Sequence, residues 1–327
     1  MEIRKLTPAE VSNLWNSYLT NTMAVWVTRY LSKRAQNEKL HAILEYAEEI
    51  AYSEVHKSKA FLEEVNHPLP EPFDEGDVQL DAPAIYTDKF TLLLKHSLSQ
   101  AAQIVYTLSF STSTRQDIRQ FYKRCVENSA TLYDKLTEVM IEMGIHHPEM
   151  HIPIPTHIEK VHHQSYLGTL WRDRRPLNSQ EVSQLTYNFR ATEVLKTTTM
   201  SFAQVTKSNE LKKHYQRGYD LYYKHLDVFQ KLLDENDLPK LPTWESEVTD
   251  LKTSPFSERV MLYKMSLLAS AASGRYGMAL SFVQRKNLGV HFMRLMGESL
   301  QYEEDSLNLL IKFGYMDQLP LAKGRAT

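Results

Sequence analysis

The sequence predicts an all-α protein made of two tandem four-helix units. Three observations carry that expectation. Apolar residues recur at helical spacing almost throughout, the pattern repeats after half the chain, and each half holds one long non-helical connection in the same place.

The chain has 327 residues, a length that favours two domains over one. Hydrophobic residues are 42% and charged residues 24%, as in an ordinary globular protein. Glycine is scarce, at 10, and the 13 prolines fall at expected helix starts, loops and the tail, so little interrupts the helical segments. The net charge of −2 comes with no basic stripe, which argues against a nucleic-acid partner. The single cysteine, Cys125, excludes an intrachain disulfide. No apolar leader follows Met1, and no apolar run approaches the roughly 20 residues that span a bilayer. A cytoplasmic location is the expectation.

The repeat sets the domain organisation. Leu6, Glu10, Val11 and Ser12 match Leu177, Glu181, Val182 and Ser183, 171 residues on. Tyr86–Lys89 matches Phe256–Arg259, and Ile141–Gly144 matches Ile311–Gly314, each 170 residues on. Anchors spread over half the chain and holding one offset indicate a duplication. The expected domains are residues 1–151 and 177–327, with a joint over 152–176.

Within each half the elements follow in order. Thr7, Pro8 and Glu10 form a capping box with proline at the first helical position, and Asn178 with Glu181 repeats it. Val11, Leu14, Trp15, Tyr18, Leu19, Thr22, Val25, Trp26 and Tyr30 share one face of this first helix. The second helix is expected over about Asn37–Glu64 and its copy over about Asn209–Asn236. Ala47 corresponds to Gly218, a position suited to a close helix crossing. The third helices begin at Thr87 and Ser257, and the fourth near Thr114, where Thr114 and Asp117 resemble a cap, and near Arg285. Gly144 and Gly314 end them.

The connections Val65–Tyr86 and Asp237–Pro255 are long for a compact domain. A helix of about 28 residues is roughly 42 Å long, and some twenty extended residues exceed that length. Each connection therefore travels the length of a bundle and starts the third helix at the same end as the second. Two short hairpins and one lengthwise crossover define a four-helix bundle of ferritin-like topology.

The motifs Ile152–Pro155, Gln164–Leu167, Arg175–Leu177, Phe202–Val205, Ser254–Ser257, Tyr276–Gly277, Ala279–Leu280 and Gly314–Pro320 resemble domain-of-unknown-function family 3231 of spore-forming bacteria, related to the spore coat protein F group. The resemblance spans nearly the whole chain. It implies tandem ferritin-like bundles and brings no activity and no catalytic residues.

A di-iron site needs four carboxylates and two histidines, with Glu-x-x-His on two helices. The first helix has no acid between Val11 and Gln36, the third none after Asp88, and the Glu-x-x-His of Glu38 to His41 stands at a helix start. No metal and no cofactor are expected. Two polar residues nevertheless interrupt apolar faces of the second half: Glu193 on its first helix and His225 on its second. Antiparallel neighbours would bring them close enough to pair, within a small polar pocket that binds a ligand. The plain alternative is a core hydrogen bond. Their first-half equivalents are Thr22 and Glu54.

Three further features have bland readings. His146, His147, His151, His157, His162 and His163 crowd the joint at no recurrent zinc spacing, which favours a solvated connector over a metal-binding one. Ile158–Leu170 is expected to form a short helix, with Trp171 as an apolar anchor. The small residues of Ser266–Ala279 suggest close packing, and Cys125 on the stripe of Ile118, Phe121, Leu132 and Leu136 a buried hydrophobe. No phosphate-binding loop or nucleophile elbow is present.

The sequence thus predicts a non-enzymatic helical protein, spore-associated by its resemblance, that acts through protein contacts, self-association among them, and has neither nucleic acid nor membrane as partner. The alternative is a small-ligand or mononuclear-metal enzyme built on Glu193 and His225.

Overall fold

The computed structural model describes residues 5–145, 150–169 and 175–322. Eight α-helices carry it: α1 (Pro8–Arg34), α2 (Glu38–Glu64), α3 (Asp88–Thr112), α4 (Gln116–Glu142), α5 (Ser179–Val205), α6 (Asn209–Asp234), α7 (Glu258–Phe282) and α8 (Lys286–Lys312). Among the described residues there is no β-strand, only the isolated antiparallel bridge of Val78 with Phe256. The halves are tandem copies: α1 and α5 start 171 residues apart, as do α2 and α6, and α3 and α7 start 170 apart, as do α4 and α8.

The chain forms two compact units. One holds 1–144, 255–260 and 309–327; the other holds 145–254 and 261–308. Phe256, bridged to Val78, belongs with the first unit, where Ser257 N–H also donates to the Asp77 carbonyl at 2.8 Å.

Within the first half the pairings are antiparallel. Residue numbers rise on α1 as they fall on α2, from Asn21 beside Glu54 through Arg29 beside Glu48 to Ser32 beside His41. The same holds for α1 against α3 (Asn13 with Thr112, Thr28 with Lys95) and for α2 against α4 (Lys39 with Glu142, Phe61 with Phe121). In the second half α6 runs antiparallel to α8 through His214 with Ser306 and His225 with Glu298, and α5 to α7 through Thr192 with Tyr276 and Thr199 with Met265.

The connection between α2 and α3 runs along α1. Phe73 N–H donates to Thr22 Oγ1 at 3.2 Å, and the Tyr30 hydroxyl donates to the Pro83 carbonyl at 2.6 Å. The second-half connection does the same along α5, with Trp244 N–H on Glu193 and the Thr249 and Leu251 carbonyls on Gln204. α1 and α5 are therefore covered on the connection side as well as the helix side. This is why Ser17, Asn21 and Thr28 on α1, and Lys196–Thr199 on α5, are buried beyond the single apolar face that periodicity predicts.

Helix ends show which signals act locally. Both capping boxes form, at Thr7 with Glu10 and at Asn178 with Glu181. α4 and α8 end at Gly144 (φ 64°) and Gly314 (φ 69°) in the left-handed region, and α2 and α6 do so at Asn66 (φ 54°) and Asp237 (φ 53°), side chains that tolerate it. The expected cap at Thr114 is corrected. α4 starts at Gln116, and its N-cap, Arg115, makes no side-chain cap bond. The residues just before it turn instead to Glu10 of α1, whose Oε1 accepts from Thr114 N, Thr114 Oγ1 and Arg115 N at 2.9, 3.1 and 2.8 Å. Glu181 repeats this, accepting from Gln284 N and Arg285 N at 3.2 and 2.9 Å. Burial alone would raise Glu10, but these donors outweigh it and hold its carboxyl below the usual range.

The short helix expected over 158–170 is also corrected. Residues 151–163 are non-helical and exposed, and only Gln164–Leu167 makes a 3₁₀ turn. Prolines and β-branched residues favour extension there, and a helix this short needs burial that Ile158, 95% exposed, does not have. His151, His157, His162 and His163 are exposed; His146, His147 and Trp171 lie outside the described residues.

Candidate functional site

The second half places one polar side chain from each helix at a common level. His225, on the α6 stripe that also carries Tyr222 and Phe229, is wholly buried. Its Nε2 lies 2.9 Å from Glu298 Oε2 on α8, and its Nδ1 lies 3.2 Å from the Tyr276 hydroxyl on α7. That hydroxyl is 2.8 Å from Thr192 Oγ1 on α5. A carboxylate only accepts, so the network assigns the imidazole proton to Nε2. Nδ1 then accepts from Tyr276, whose oxygen accepts from Thr192. The chain Thr192–Tyr276–His225–Glu298 has one direction from end to end. Burial pushes His225 down to about 4, against the pull of Glu298, so the ring is neutral at pH 7. Burial likewise pushes Tyr276 up to about 12.

The first half holds a cluster at the equivalent positions. Glu54, the counterpart of His225, receives Tyr106 and Asn21 on one oxygen at 2.5 and 3.0 Å. Tyr106 and Asn21 are the counterparts of Tyr276 and Thr192. The other Glu54 oxygen is buried without a nitrogen or oxygen donor, and the Cys125 thiol of α4 is its neighbour. Burial outweighs the hydrogen bonds of Tyr106, Cys125 and Asn21 and pushes Glu54 up to about 7. Cys125 is itself buried, and desolvation raises its thiol far from the thiolate range.

Glu193 does not pair with His225. Its Oε1 accepts from Trp244 N–H at 2.8 Å and from Thr197 Oγ1 at 3.2 Å, and its Oε2 lies 2.9 Å from Lys196 Nζ. Lys196 also bonds Glu245, so one buried ammonium sits between two carboxylates. Burial alone would lower Lys196, but the two acids raise it and keep it charged. Thr22, the counterpart of Glu193, receives the connection's Phe73 N–H in the same way. Glu193 thus fastens the connection to α5, one helical face away from His225.

Sequence reasoning found His225 and missed its partners. Tyr276 reads as one more apolar residue in a run of small ones, and Glu298 as one acid among several on α8. The usable signal was the repeat, which aligns Tyr106 with Tyr276 as it aligns Glu54 with His225.

Chemically, the second cluster sets a hydroxyl, an imidazole and a carboxylate in line, as nucleophile–base pairs are set. Tyr276 and His225 are however both wholly buried, and the tyrosine holds its proton tightly, so the hydroxyl is neither reachable nor activated. Among the described residues no three His, Cys, Asp or Glu side chains gather as a metal site would need. No helix among them is long and apolar enough to cross a membrane.

Fold and site together define an all-helical tandem duplication with a four-residue polar cluster in the core of each half. Residues 1–154 and 167–327 match the model of the protein family of unknown function DUF3231, and the chain belongs to that family. No curated protein matches. Among solved structures, a protein of Bacillus halodurans C-125 provisionally described as a spore coat protein is similar at 18% identity and a TM-score of 0.40, over 48% of this chain and 98% of that one.

Proposed function

We propose that the chain is a non-enzymatic helical protein of the spore or the sporulating cytoplasm that acts through protein contacts, and that each half is a four-helix bundle of ferritin-like topology. The topology is supported by the antiparallel pairings, which set α1 parallel to α4 and α2 parallel to α3, with a lengthwise connection between the parallel pair. Spore association rests on the family resemblance. The observation that carries the non-enzymatic reading is that the second polar cluster is satisfied from within. Each of Thr192, Tyr276 and His225 spends its hydrogen-bonding capacity on the next, and the chain ends on Glu298. The competing reading, a small-ligand or mononuclear-metal enzyme using His225 and Glu193, draws on the partial exposure of the Glu298 carboxylate beside His225.

Native mass spectrometry and elemental analysis of the purified protein decide between them. The expected mass is that of the 38.0 kDa polypeptide or a multiple, without stoichiometric metal or adduct. A bound metal or small molecule that disappears in His225→Phe would overturn the proposal.

A further inference from the structure

We propose that the guanidinium of Arg275, on α7, anchors a small oxyanion in the second half, the phosphate or carboxylate group of an exchangeable ligand. This goes beyond the non-enzymatic reading and leaves it standing, since an anion held in place undergoes no reaction there.

The argument starts from how the chain treats buried cations. Among the described residues six Lys and Arg side chains are buried. Four have partners. Lys95 donates to Thr28, Arg115 pairs with Glu64 and Asp117, Lys196 lies between Glu193 and Glu245, and Arg285 donates to Asn287 and to the Arg175 carbonyl. The other two are both on α7. Lys264 and Arg275 are 7% and 8% exposed, and neither makes a hydrogen bond or an ion pair with the described residues. They stand where the first half has Leu94 and Val105, so the second half carries two cations that its fold does not require.

The two meet the cost of burial differently. An ammonium can shed its proton, and burial brings Lys264 down to about 8. A guanidinium stays charged at any working pH, so Arg275 needs a counter-charge. The ionisable groups around it are Tyr276, Tyr187 and Tyr222, and none is a carboxylate. The run of small residues on α7 leaves room for an anion to supply the charge. A helical side chain leans over the turn before its own, which for Arg275 carries Ala271 and Ala272. Beside it, a Cβ at Gly274 would have nothing within 4 Å. Arg275 Nε is wholly buried without a partner, whereas the Nη atoms are not wholly buried, so the tip of the fork is the part a ligand reaches. Parallel N–H groups there match two oxygens of a phosphate or a carboxylate. Lys264 is three turns away on the same side of the helix, roughly 16 Å along the axis, beyond the reach of a small anion at Arg275.

Thermal unfolding of the full chain tests the proposal, with about 20 mM sodium phosphate or sodium acetate compared against sodium chloride of equal ionic strength. A single forked contact binds on the order of 1 mM, so the oxyanion should raise the melting temperature of the wild type by about 3 °C over chloride. A rise with phosphate alone assigns the site to phosphate, a rise with acetate alone to carboxylates, and a rise with both to the chemistry they share. Arg275→Met should abolish the rise, and Lys264→Met, which removes the same charge elsewhere on α7, should retain it. Arg275→Lys keeps the charge without the fork and should weaken the anion at least tenfold in a titration, which decides the matter if the methionine variant fails to fold. No rise in the wild type with either anion, an equal response in Arg275→Met or Arg275→Lys, or loss of the response in Lys264→Met would each overturn it.

Discussion

Glu54 and His225 occupy equivalent places in the two halves and titrate in opposite senses, so a change of pH is expected to move the stabilities of the halves in opposite directions. Burial lifts Glu54 from 4.5 to about 7. The gap of about 2.5 pH units corresponds to roughly 3 kcal/mol. Because the folded pKa is the higher one, the folded half binds the proton more tightly. The stabilisation is complete below about pH 4.5 and is lost as the pH rises through about 7. His225 is the reverse case, depressed from 6.5 to about 4. Its folded state resists the proton, so stability is complete above about pH 6.5 and falls as the pH drops towards 4.

Moving from pH 8 to pH 5 should therefore stabilise the first half by roughly 2–3 kcal/mol and weaken the second by roughly 2 kcal/mol. His214, which burial also pushes down to about 4, adds to the second change. Hydrogen exchange read by mass spectrometry, corrected for intrinsic rates, separates the halves through peptides of α2 and α6. Protection should rise in α2 and fall in α6. Glu54→Gln keeps an acceptor for Tyr106 and Asn21 and removes the titration, so α2 should gain protection at pH 8 and change little at pH 5. The reasoning fails if both halves shift in the same direction, or if Glu54→Gln leaves the pH response of α2 unaltered.

Three further outcomes follow from individual contacts. Glu10→Gln sets an amide N–H₂ against backbone N–H groups, which only donate, and should cost about 1–3 kcal/mol in denaturant unfolding, with Glu181→Gln costing a similar amount. A Cβ at Gly218 would clash with the Tyr302 hydroxyl, so Gly218→Ala should lower the melting temperature despite its better helix propensity. Adding Tyr302→Leu, the residue that the first half carries as Leu132 beside Ala47, should recover most of that loss in a double-mutant cycle. Lys196→Val leaves Glu193 and Glu245 without their shared ammonium and should cost about 3–5 kcal/mol, whereas Lys196→Val with Glu193→Thr, the first-half pair, should cost clearly less.

Local rules made the helices legible and long-range contacts hid the rest. Thr7 with Glu10, and the terminal Gly144, announce their helix ends because cap and helix lie within a few residues. The start of α4 is not readable that way, since its donors find Glu10 across more than a hundred residues of chain. The same carboxylate serves two helices, and the sequence shows only the nearer one. His225 was visible because a histidine on an apolar stripe breaks the period. Tyr276 was not, because a tyrosine satisfies that period while its hydroxyl does polar work. Glu193 looked like a partner for His225 on helical geometry alone. The connection that draws it aside has no periodicity from which its path along α5 could be read.

The two clusters constrain what either one does. They share their positions and a tyrosine hydroxyl, but one centres on an acid near 7 and the other on an imidazole near 4. A reaction that needs a proton given or taken at a set pH would not survive that exchange. Satisfying buried hydrogen bonds would, because a carboxyl and a neutral imidazole can both accept from a tyrosine. What the duplication preserves in the core is thus hydrogen-bond complementarity between helices.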